Sequence, residues 1–302
     1  MDIDFEIFSP VQQISNKLFD EKGIEVFIKR DDLIHPIISG NKWRKLKYIL
    51  EKAHLEQKKH LVTFGGAYSN HLLATAAAAA RFGFRSTGIV RGEQLGNDTL
   101  FICRLHGMKL IFTDRENYRD KPGLFEKYFG QDDEAFFIEE GGASAEGAKG
   151  CSELIGELTD NYDHIFCACG TGTTAAGIIN GINKKALKTR FHGIPVLKNG
   201  GFLKDEIENF LLQPSDFDLH TEYHFGGYAK TNDELIGFVK QFVASTGILI
   251  DPVYTAKMMF ALYDLAAKDY FKRGEKILAI HTGGIWGLLG MKDKFMQTPS
   301  AG

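Results

Sequence analysis

Four times in this chain a short apolar run ends in a loop of small or hydroxyl-bearing residues that opens into a helical pattern. Val26-Phe27-Ile28-Lys29-Arg30-Asp31-Asp32 leads on to Ser39-Gly40-Asn41, which is turn and cap chemistry, and then to Leu46, Ile49 and Leu50 at helical spacing. Residues 61–64 lead to Gly65-Gly66-Ala67-Tyr68-Ser69-Asn70-His71 and an alanine-rich helix over 72–80. Residues 164–169 lead to Gly170-Thr171-Gly172-Thr173-Thr174 and a helix with Ile178, Ile179 and Ile182. Residues 276–280 lead to His281-Thr282-Gly283-Gly284 and a short helix. Units of this kind build α/β folds, with parallel sheets covered by helices on both faces. In open sheets of that class, ligands bind at the carboxyl ends of the strands. Lys42, Ser69, Asn70, His71, the 170–174 loop and Thr282 all lie just past a predicted strand, so one site is expected to gather them.

The stretches between keep the alternation. Strands are expected at 86–90, 109–112, 135–138 and 191–197, helices at 97–106, 115–128, 152–158, 203–212 and 233–244, and a connection at 141–147. Residues 225–230 read as a glycine loop carrying Tyr228. Pro252 stops residues 249–255 from forming a central strand. Tyr254 begins a helix marked by Met258, Ala261, Leu262 and Leu265. At 302 residues the chain is long enough for two domains.

Two of the loops carry recognisable chemistry. Lys42 sits at the mouth of its helix, near the positive end of the helix dipole, which disfavours the charged amine. A lysine that must be neutral to attack a carbonyl benefits from that; a surface lysine in a lysine-rich first turn has the same local sequence. In the 170–174 loop, glycines let the backbone approach an anion, hydroxyls donate to it, and the helix end favours its charge. This is a phosphate cradle. It also scans as GxGxxA, but a dinucleotide site needs an acidic residue about 20 positions on, at the end of the next strand. Lys198 stands there instead, and no Gly-Lys-Ser/Thr closes a P-loop. A lysine for a Schiff base and a lone phosphate cradle are the minimum for pyridoxal phosphate. Ser69 or Asn70 serves equally well as a plain helix cap, and Tyr254 as a half-buried aromatic.

Composition narrows the partners. Apolar residues make up 44% and charged residues 25%, as in globular proteins. The net charge of -3 and the lack of a membrane-length apolar run point to neither a nucleic acid nor a membrane. The N-terminal Met1-Asp2-Ile3-Asp4-Phe5-Glu6 has no signal-peptide shape. Cys103, Cys151, Cys167 and Cys169 show neither CxxC nor Cys/His zinc spacing, so no metal is expected, and a reducing, cytoplasmic setting is.

From about residue 28 to 290 the chain resembles the pyridoxal-phosphate family that holds D-cysteine desulfhydrase and 1-aminocyclopropane-1-carboxylate (ACC) deaminase, with the fold-type-II, tryptophan-synthase-β-like architecture. The matching signatures are Lys29-Arg30-Asp31-Asp32, Gly40-Asn41-Lys42-Trp43-Arg44-Lys45-Leu46, Ser69-Asn70-His71, Gly170-Thr171-Gly172-Thr173-Thr174, Asp251-Pro252-Val253-Tyr254-Thr255 and His281-Thr282-Gly283-Gly284. The resemblance implies two open, twisted, mostly parallel sheets. It implies a small domain over 46–147, a large domain made of 1–45 and 148–302, and a homodimer. Lys42 would be the Schiff-base lysine and the proton-moving base. Lys45 would contact the phosphate, with Gly170, Thr171, Gly172, Thr173 and Thr174 around it, and Asn70 would bond the ring hydroxyl. Ser69, Asn70 and His71 would hold the substrate carboxylate, with Ser69 also acting in the chemistry. Tyr228 and Tyr254 would line the substrate face. Thr282 would sit by the pyridine nitrogen, where a hydroxyl leaves that nitrogen unprotonated and suits β-elimination over transamination.

Two departures favour the desulfhydrase side: Thr255 and His71 stand where ACC deaminases carry glutamate and glutamine. Tyr68 stands where both branches carry glutamine, so the loop against the substrate is expected to differ. The activity implied is conversion of D-cysteine to pyruvate, sulfide and ammonia. The alternatives are conversion of ACC to 2-oxobutyrate and ammonia, or a pyridoxal-phosphate-binding protein with little turnover.

Overall fold

The computed structural model describes residues 3–296. The chain opens with β1 (Val11–Ile14), α1 (Lys17–Lys22), β2 (Glu25–Lys29) and α2 (Asn41–Leu55). Then follow β3 (His60–Gly66), α3 (Asn70–Arg81), β4 (Arg85–Arg91), α4 (Asp98–Leu105), β5 (Lys109–Thr113), α5 (Lys121–Phe129) and β6 (Ala135–Ile138). The rest comprises α6 (Ala145–Gly156), β7 (His164–Cys169), α7 (Thr173–Lys184), β8 (Arg190–Pro195), α8 (Leu203–Glu208), β9 (Asp218–Leu219), α9 (Asp233–Thr246), α10 (Thr255–Ala267), β10 (Lys276–Ile280) and α11 (Lys292–Met296). Among the described residues no helix is long and apolar enough to cross a membrane.

The strands sort into two sheets, ordered β1-β2-β10-β7-β8-β9 and β5-β4-β3-β6. Every pairing is parallel except that of β1 with β2. Each sheet reverses its direction of growth once. β3 lies between its successor β4 and the later β6, and β7 lies between its successor β8 and the later β10. Outside the carboxyl ends at such reversals a crevice opens, because the chain leaves the two strands in opposite directions.

Alternate residues of the strands feed the two faces of each sheet. Val26, Ile28, Phe166 and Ala279 pack with Met258, Leu262 and Val239 of α10 and α9. Ile165, Cys167, Leu278 and Ile280 pack the other way, on Leu154, Ile178 and Ile182 of α6 and α7. In the smaller sheet Leu61 packs with Trp43, Leu46 and Ala78 of α2 and α3, and Val62 and Phe64 face Tyr118 and Leu124. Each of the Val, Leu, Ile, Phe and Met side chains among these contributes about 1.5–3 kcal/mol by leaving water.

Helix α6 corrects the expected connection at 141–147 and the helix start at 152. It begins at Ala145, with the Ser144 hydroxyl accepting from the Gly147 N–H at 3.0 Å. Its glycines weaken helix propensity but let backbones touch. A Cβ on Gly150 would sit 1.8 Å from the Arg44 carbonyl oxygen, and one on Gly177 2.4 Å from that of Ala148. Contact among α2, α6 and α7 therefore outweighs local preference. The helix expected over 115–128 divides into a 3₁₀ turn, Asn117–Arg119, and α5, because Asp120 caps Gly123 and Pro122 enters the first turn. The helix expected over 203–212 ends at Glu208.

At the amino ends of β7 and β8 three histidines form a ladder. His164 Nδ1 lies 2.9 Å from His192 Nε2, and His192 Nδ1 lies 3.0 Å from His220 Nε2. The Glu275 carboxylate accepts from His164 Nε2 at 3.0 Å, so each ring donates through Nε2, and His164 and His192 accept at Nδ1. His192, Asp218 and His220 bring ligand-type atoms within 4.8 Å of one another. Those atoms already have partners, since Arg190 holds the Asp218 carboxylate and the two rings bond each other.

Candidate active site

Where the loops after β2, β3, β6, β7 and β10 converge, a cavity of about 430 Å³ opens between the two sheets. Lys42, Lys45, Ser69, Asn70, His71, Gly170, Thr171, Gly172, Thr174, Tyr228, Tyr254 and Thr282 all line it. Thr173 does not: its side chain is buried, with its hydroxyl 3.4 Å from that of Thr171.

Helix α2 reaches the cavity through a close backbone approach. Gly40 precedes it with a φ of 62°, and a Cβ there would lie 1.9 Å from the Thr282 carbonyl oxygen. The Asn41 N–H donates to that same oxygen at 3.3 Å, and Asn41 Nδ2 donates to Thr174 Oγ1 at 2.9 Å. The Ser39-Gly40-Asn41 triplet thus ties three loops together and, among the described residues, lends the helix no side-chain cap.

Behind Lys42, the buried Arg44 donates to Asp31 at 2.5 and 2.7 Å and to Glu157 at 2.8 and 2.9 Å. Lys29 joins Glu157 at 2.8 Å. A buried charge cluster of this kind holds only when each charge has its partners, and here that requirement fixes how α2 lies against its neighbours. Lys29 and Asp31 are therefore scaffolding for the helix that carries Lys42.

The two lysines on one face of α2 differ. Burial, and then the charge of Lys45, pull the pKa of Lys42 down to about 7. The direction is the one expected from the helix terminus, and it leaves much of this amine neutral at neutral pH. Lys45 is buried and its Nζ donates to the Gly141 carbonyl at 3.0 Å and to Thr171 Oγ1 at 3.4 Å. Burial lowers its pKa as well.

Helix α7 has Gly172, whose φ is 75°, at its cap position, and no side chain among the described residues caps it. Its first N–H groups therefore face the cavity beside the hydroxyls of Thr171 and Thr174. Helix α3 is different. Ser69 Oγ accepts from the Leu72 N–H at 3.2 Å, which leaves the serine's own hydrogen available. Asn70 Nδ2 donates to the Gly284 carbonyl at 3.4 Å, joining the β3 and β10 loops.

The His71 ring is buried, with Nε2 2.9 Å from Thr63 Oγ1. Because the Thr63 hydroxyl donates to the Ile138 carbonyl at 3.0 Å, Nε2 carries the ring hydrogen. Nδ1 is then a bare acceptor, without a partner among the described residues. Burial and the charges of Lys42 and Lys45 hold this imidazole well below its ordinary pKa, hence neutral. Its ring offers a carboxylate no donor; only its backbone N–H can serve.

Tyr228 and Tyr254 meet edge to face, with ring centroids 6.1 Å apart. Burial pushes both phenols above their ordinary pKa, Tyr254 further, so both are protonated at neutral pH.

Several lining residues escaped the sequence. Glu140 and Gly141 follow β6 just as the other loops follow their strands, so the same strand-end rule would have found them. Arg91 ends β4 and lies 5.3 Å from the Tyr118 ring centroid. Trp286 donates from Nε1 to the Pro36 carbonyl at 2.9 Å, and nothing local signals that contact. Tyr68, which the sequence singled out, lies outside the cavity lining; it is 51% exposed and leans on the 3₁₀ turn Ile285–Met291, where a Cβ on Gly290 would lie 2.7 Å from its ring.

This donor set fits pyridoxal phosphate. It combines a lysine that is readily neutral, an uncapped helix start with hydroxyls and an ammonium beside it, and a cavity of about 430 Å³. Comparison with known proteins agrees. Residues 7–283 match the family described as pyridoxal-phosphate dependent enzyme. A Pyrococcus horikoshii protein provisionally named 1-aminocyclopropane-1-carboxylate deaminase is 31% identical over 308 residues, spanning 96% of this chain and 93% of that protein. An Arabidopsis thaliana protein named bifunctional D-cysteine desulfhydrase/1-aminocyclopropane-1-carboxylate deaminase, mitochondrial, is 32% identical over 307 residues, spanning 92% and 76%. A crystal structure described as an ACC deaminase homologue superposes with a TM-score of 0.88 at 30% identity, covering 98% of this chain and 94% of that one. The chain belongs to the pyridoxal-phosphate-dependent enzymes of fold type II, in the family whose members are named D-cysteine desulfhydrase and ACC deaminase.

Proposed function

We propose that this enzyme is a D-cysteine desulfhydrase, converting D-cysteine to pyruvate, sulfide and ammonia. The observation that carries the choice is Thr255, which stands where ACC deaminases carry glutamate. It is fully buried, its hydroxyl donates to the Asp251 carboxylate at 2.9 Å and accepts from the Asp251 N–H at 2.8 Å, and it does not line the cavity. D-Cysteine asks for one base at its α-carbon. ACC has no α-proton and asks for further acid–base help at a ring carbon. A second reading, ACC deaminase, has one observation in its favour: Glu140 brings a carboxylate to the cavity wall from a different strand end.

The proposed roles rest on the family resemblance, and the cavity lining supports them. The first turn of α7, with Gly170, Thr171, Gly172, Thr173 and Thr174, and the Lys45 ammonium would hold the cofactor's phosphate, Lys42 its aldehyde carbon, Asn70 its ring hydroxyl and Thr282 its ring nitrogen. When bound, the cofactor draws electron density from the substrate's α-carbon and makes the proton there removable. Lys42, neutral near pH 7, takes that proton. Ser69 and the backbone N–H groups of Asn70 and His71 orient the substrate carboxylate. The protonated phenols of Tyr228 and Tyr254 supply a hydrogen to the departing sulfur.

Residues 46–147, which carry the four-stranded sheet, make the small domain, and 1–45 with 148–302 the large one. A cytoplasmic homodimer completes the reading; the four buried free cysteines suit a reducing compartment.

The test is product analysis of the cofactor-loaded protein with D-cysteine and ACC in parallel. Sulfide and pyruvate from D-cysteine alone support the desulfhydrase. 2-Oxobutyrate from ACC transfers the assignment to the second reading and to Glu140. Neither product leaves a pyridoxal-phosphate-binding protein with little turnover on either compound.

A further inference from the structure

Lys257 is a fully buried lysine outside the cavity lining, and every partner of its Nζ is a backbone carbonyl. It donates to His224 and Gly227 at 2.8 Å each and to Val196 at 3.3 Å. An ammonium has three hydrogens, so this arrangement uses all of them. The choice of carbonyls matters. The Gly227 carbonyl belongs to the peptide group that leads into Tyr228, and the Val196 carbonyl to the one that leads into Leu197. Tyr228 and Leu197 both line the cavity, as does Tyr254, which immediately precedes the helix that bears Lys257.

The loop so gripped would not keep its shape alone. Phe225, Gly226, Gly227 and Ala229 have φ values of 50°, 89°, 114° and 54°. Left-handed backbone at Phe225 and Ala229 costs on the order of 1 kcal/mol or more at each residue and persists only where surroundings enforce it. Helix α10 provides that enforcement twice. Phe260 stacks edge to face on Phe225 at 4.9 Å, and Lys257 anchors the carbonyls.

We propose that Lys257 is the positioning residue that sets Tyr228 against Tyr254 at the cavity, by clamping the peptide groups that precede Tyr228 and Leu197. One helix then carries both halves of the arrangement: Tyr254 at its start and, three residues on, the cation that fixes Tyr228. The inference rests on the functional reading of Tyr228 above, so its first measurement does not use turnover.

In the cofactor-loaded protein, amide hydrogen exchange is measured for wild type and Lys257→Met. A peptide spanning 223–231 is expected to exchange about tenfold faster or more in the variant, because the donors of Gly227 and Lys230 share the carbonyls that Lys257 anchors. Peptides from α3 should be unchanged. Lys257→Gln, which keeps two donors, should fall between and serves if the methionine variant fails to fold. Turnover supplies the second arm. Lys257→Met should lower kcat on the order of 10- to 100-fold with little change in KM. In a Tyr228→Phe background the same change should cost less than about threefold more, since both act through one phenol. Unchanged exchange at 223–231, acceleration spread evenly over the chain, or full additivity of the two substitutions would each overturn the proposal. Absence of turnover in the wild type would strike the desulfhydrase reading while leaving the exchange result to judge Lys257.

Discussion

Helices α3 and α7 both begin at the cavity, yet their first turns are finished differently. At α3 a serine hydroxyl takes up the Leu72 N–H, and among the described residues no lysine is bonded to the loop. At α7 a glycine occupies the cap position, no side chain among the described residues caps it, and the Lys45 ammonium reaches the neighbouring Thr171. A helix start favours an anion by about 0.3–1 kcal/mol at exposed sites and up to about 2 kcal/mol when partly buried. Free N–H groups, hydroxyls and a buried cation add to that at α7, whereas a capped start with fewer free donors binds more weakly. The contrast suits the two anions proposed for these helix starts: a cofactor phosphate that stays through many turnovers, and a substrate carboxylate that must leave after each one.

The contrast can be broken in four ways. The largest effect belongs to Lys42, which stands between the two helix starts. Lys42→Ala should remove the absorbance of lysine-bound cofactor and lower turnover on the order of 10³-fold or more; near-normal turnover would sink the assignment of both base and anchor. Next comes Gly172→Ala, which forces a side chain into a φ of 75° with its Cβ 3.1 Å from the backbone of Glu206. Strain of about 1–3 kcal/mol at the α7 start should weaken cofactor binding by roughly 5- to 150-fold in equilibrium dialysis. The KM for D-cysteine at saturating cofactor should hardly move, and an equal shift in both constants would refute the division of labour.

The third is a pH profile. With Lys42 at about 7, its nucleophilic form is lost as pH falls below that value, so cofactor capture should slow about tenfold for each further unit. A capture rate flat from pH 5 to 7 would place the lysine's pKa elsewhere. The smallest effect is at Ser69. Ser69→Ala should cost about 1 kcal/mol of thermal stability through the lost cap and reduce kcat, while cofactor affinity stays unchanged. Ser69→Asn restores a cap without the hydroxyl. If its kcat returns to the wild-type value, the serine is a cap and has no part in the chemistry.

How much of this could be read from the sequence depended on how local each cause is. Strand, glycine loop and helix are neighbours in the chain, so Lys42, Ser69, the 170–174 loop and Thr282 were found from spacing alone. Glu140 obeys the same rule and was passed over because Gly141 and Gly142 read as a mere connection. Helix α6 was begun too late because the reason for its glycines, the carbonyls of Arg44 and Gly142, lies on other elements. The state of the His71 ring was hidden for a similar reason: Thr63, in the preceding strand, claims its one hydrogen. Asn41, Trp286 and Lys257 act on residues 30 or more positions away, and no periodicity marks them.

The histidine ladder sets a limit that has nothing to do with catalysis. Burial, and then the neighbouring His164 and His220, hold His192 far below its ordinary pKa of 6.5. As pH falls below that value the unfolded chain takes up a proton that the folded one refuses, so stability drops with acidification. A proton forced onto His192 Nδ1 would also point a donor at the donor of His220, and that bond returns only if His220 moves its hydrogen from Nε2 to Nδ1. Acid should therefore unfasten the large sheet from its amino-terminal edge, at the opposite end from Lys42, and the enzyme's acid tolerance can be tuned there without touching the reaction.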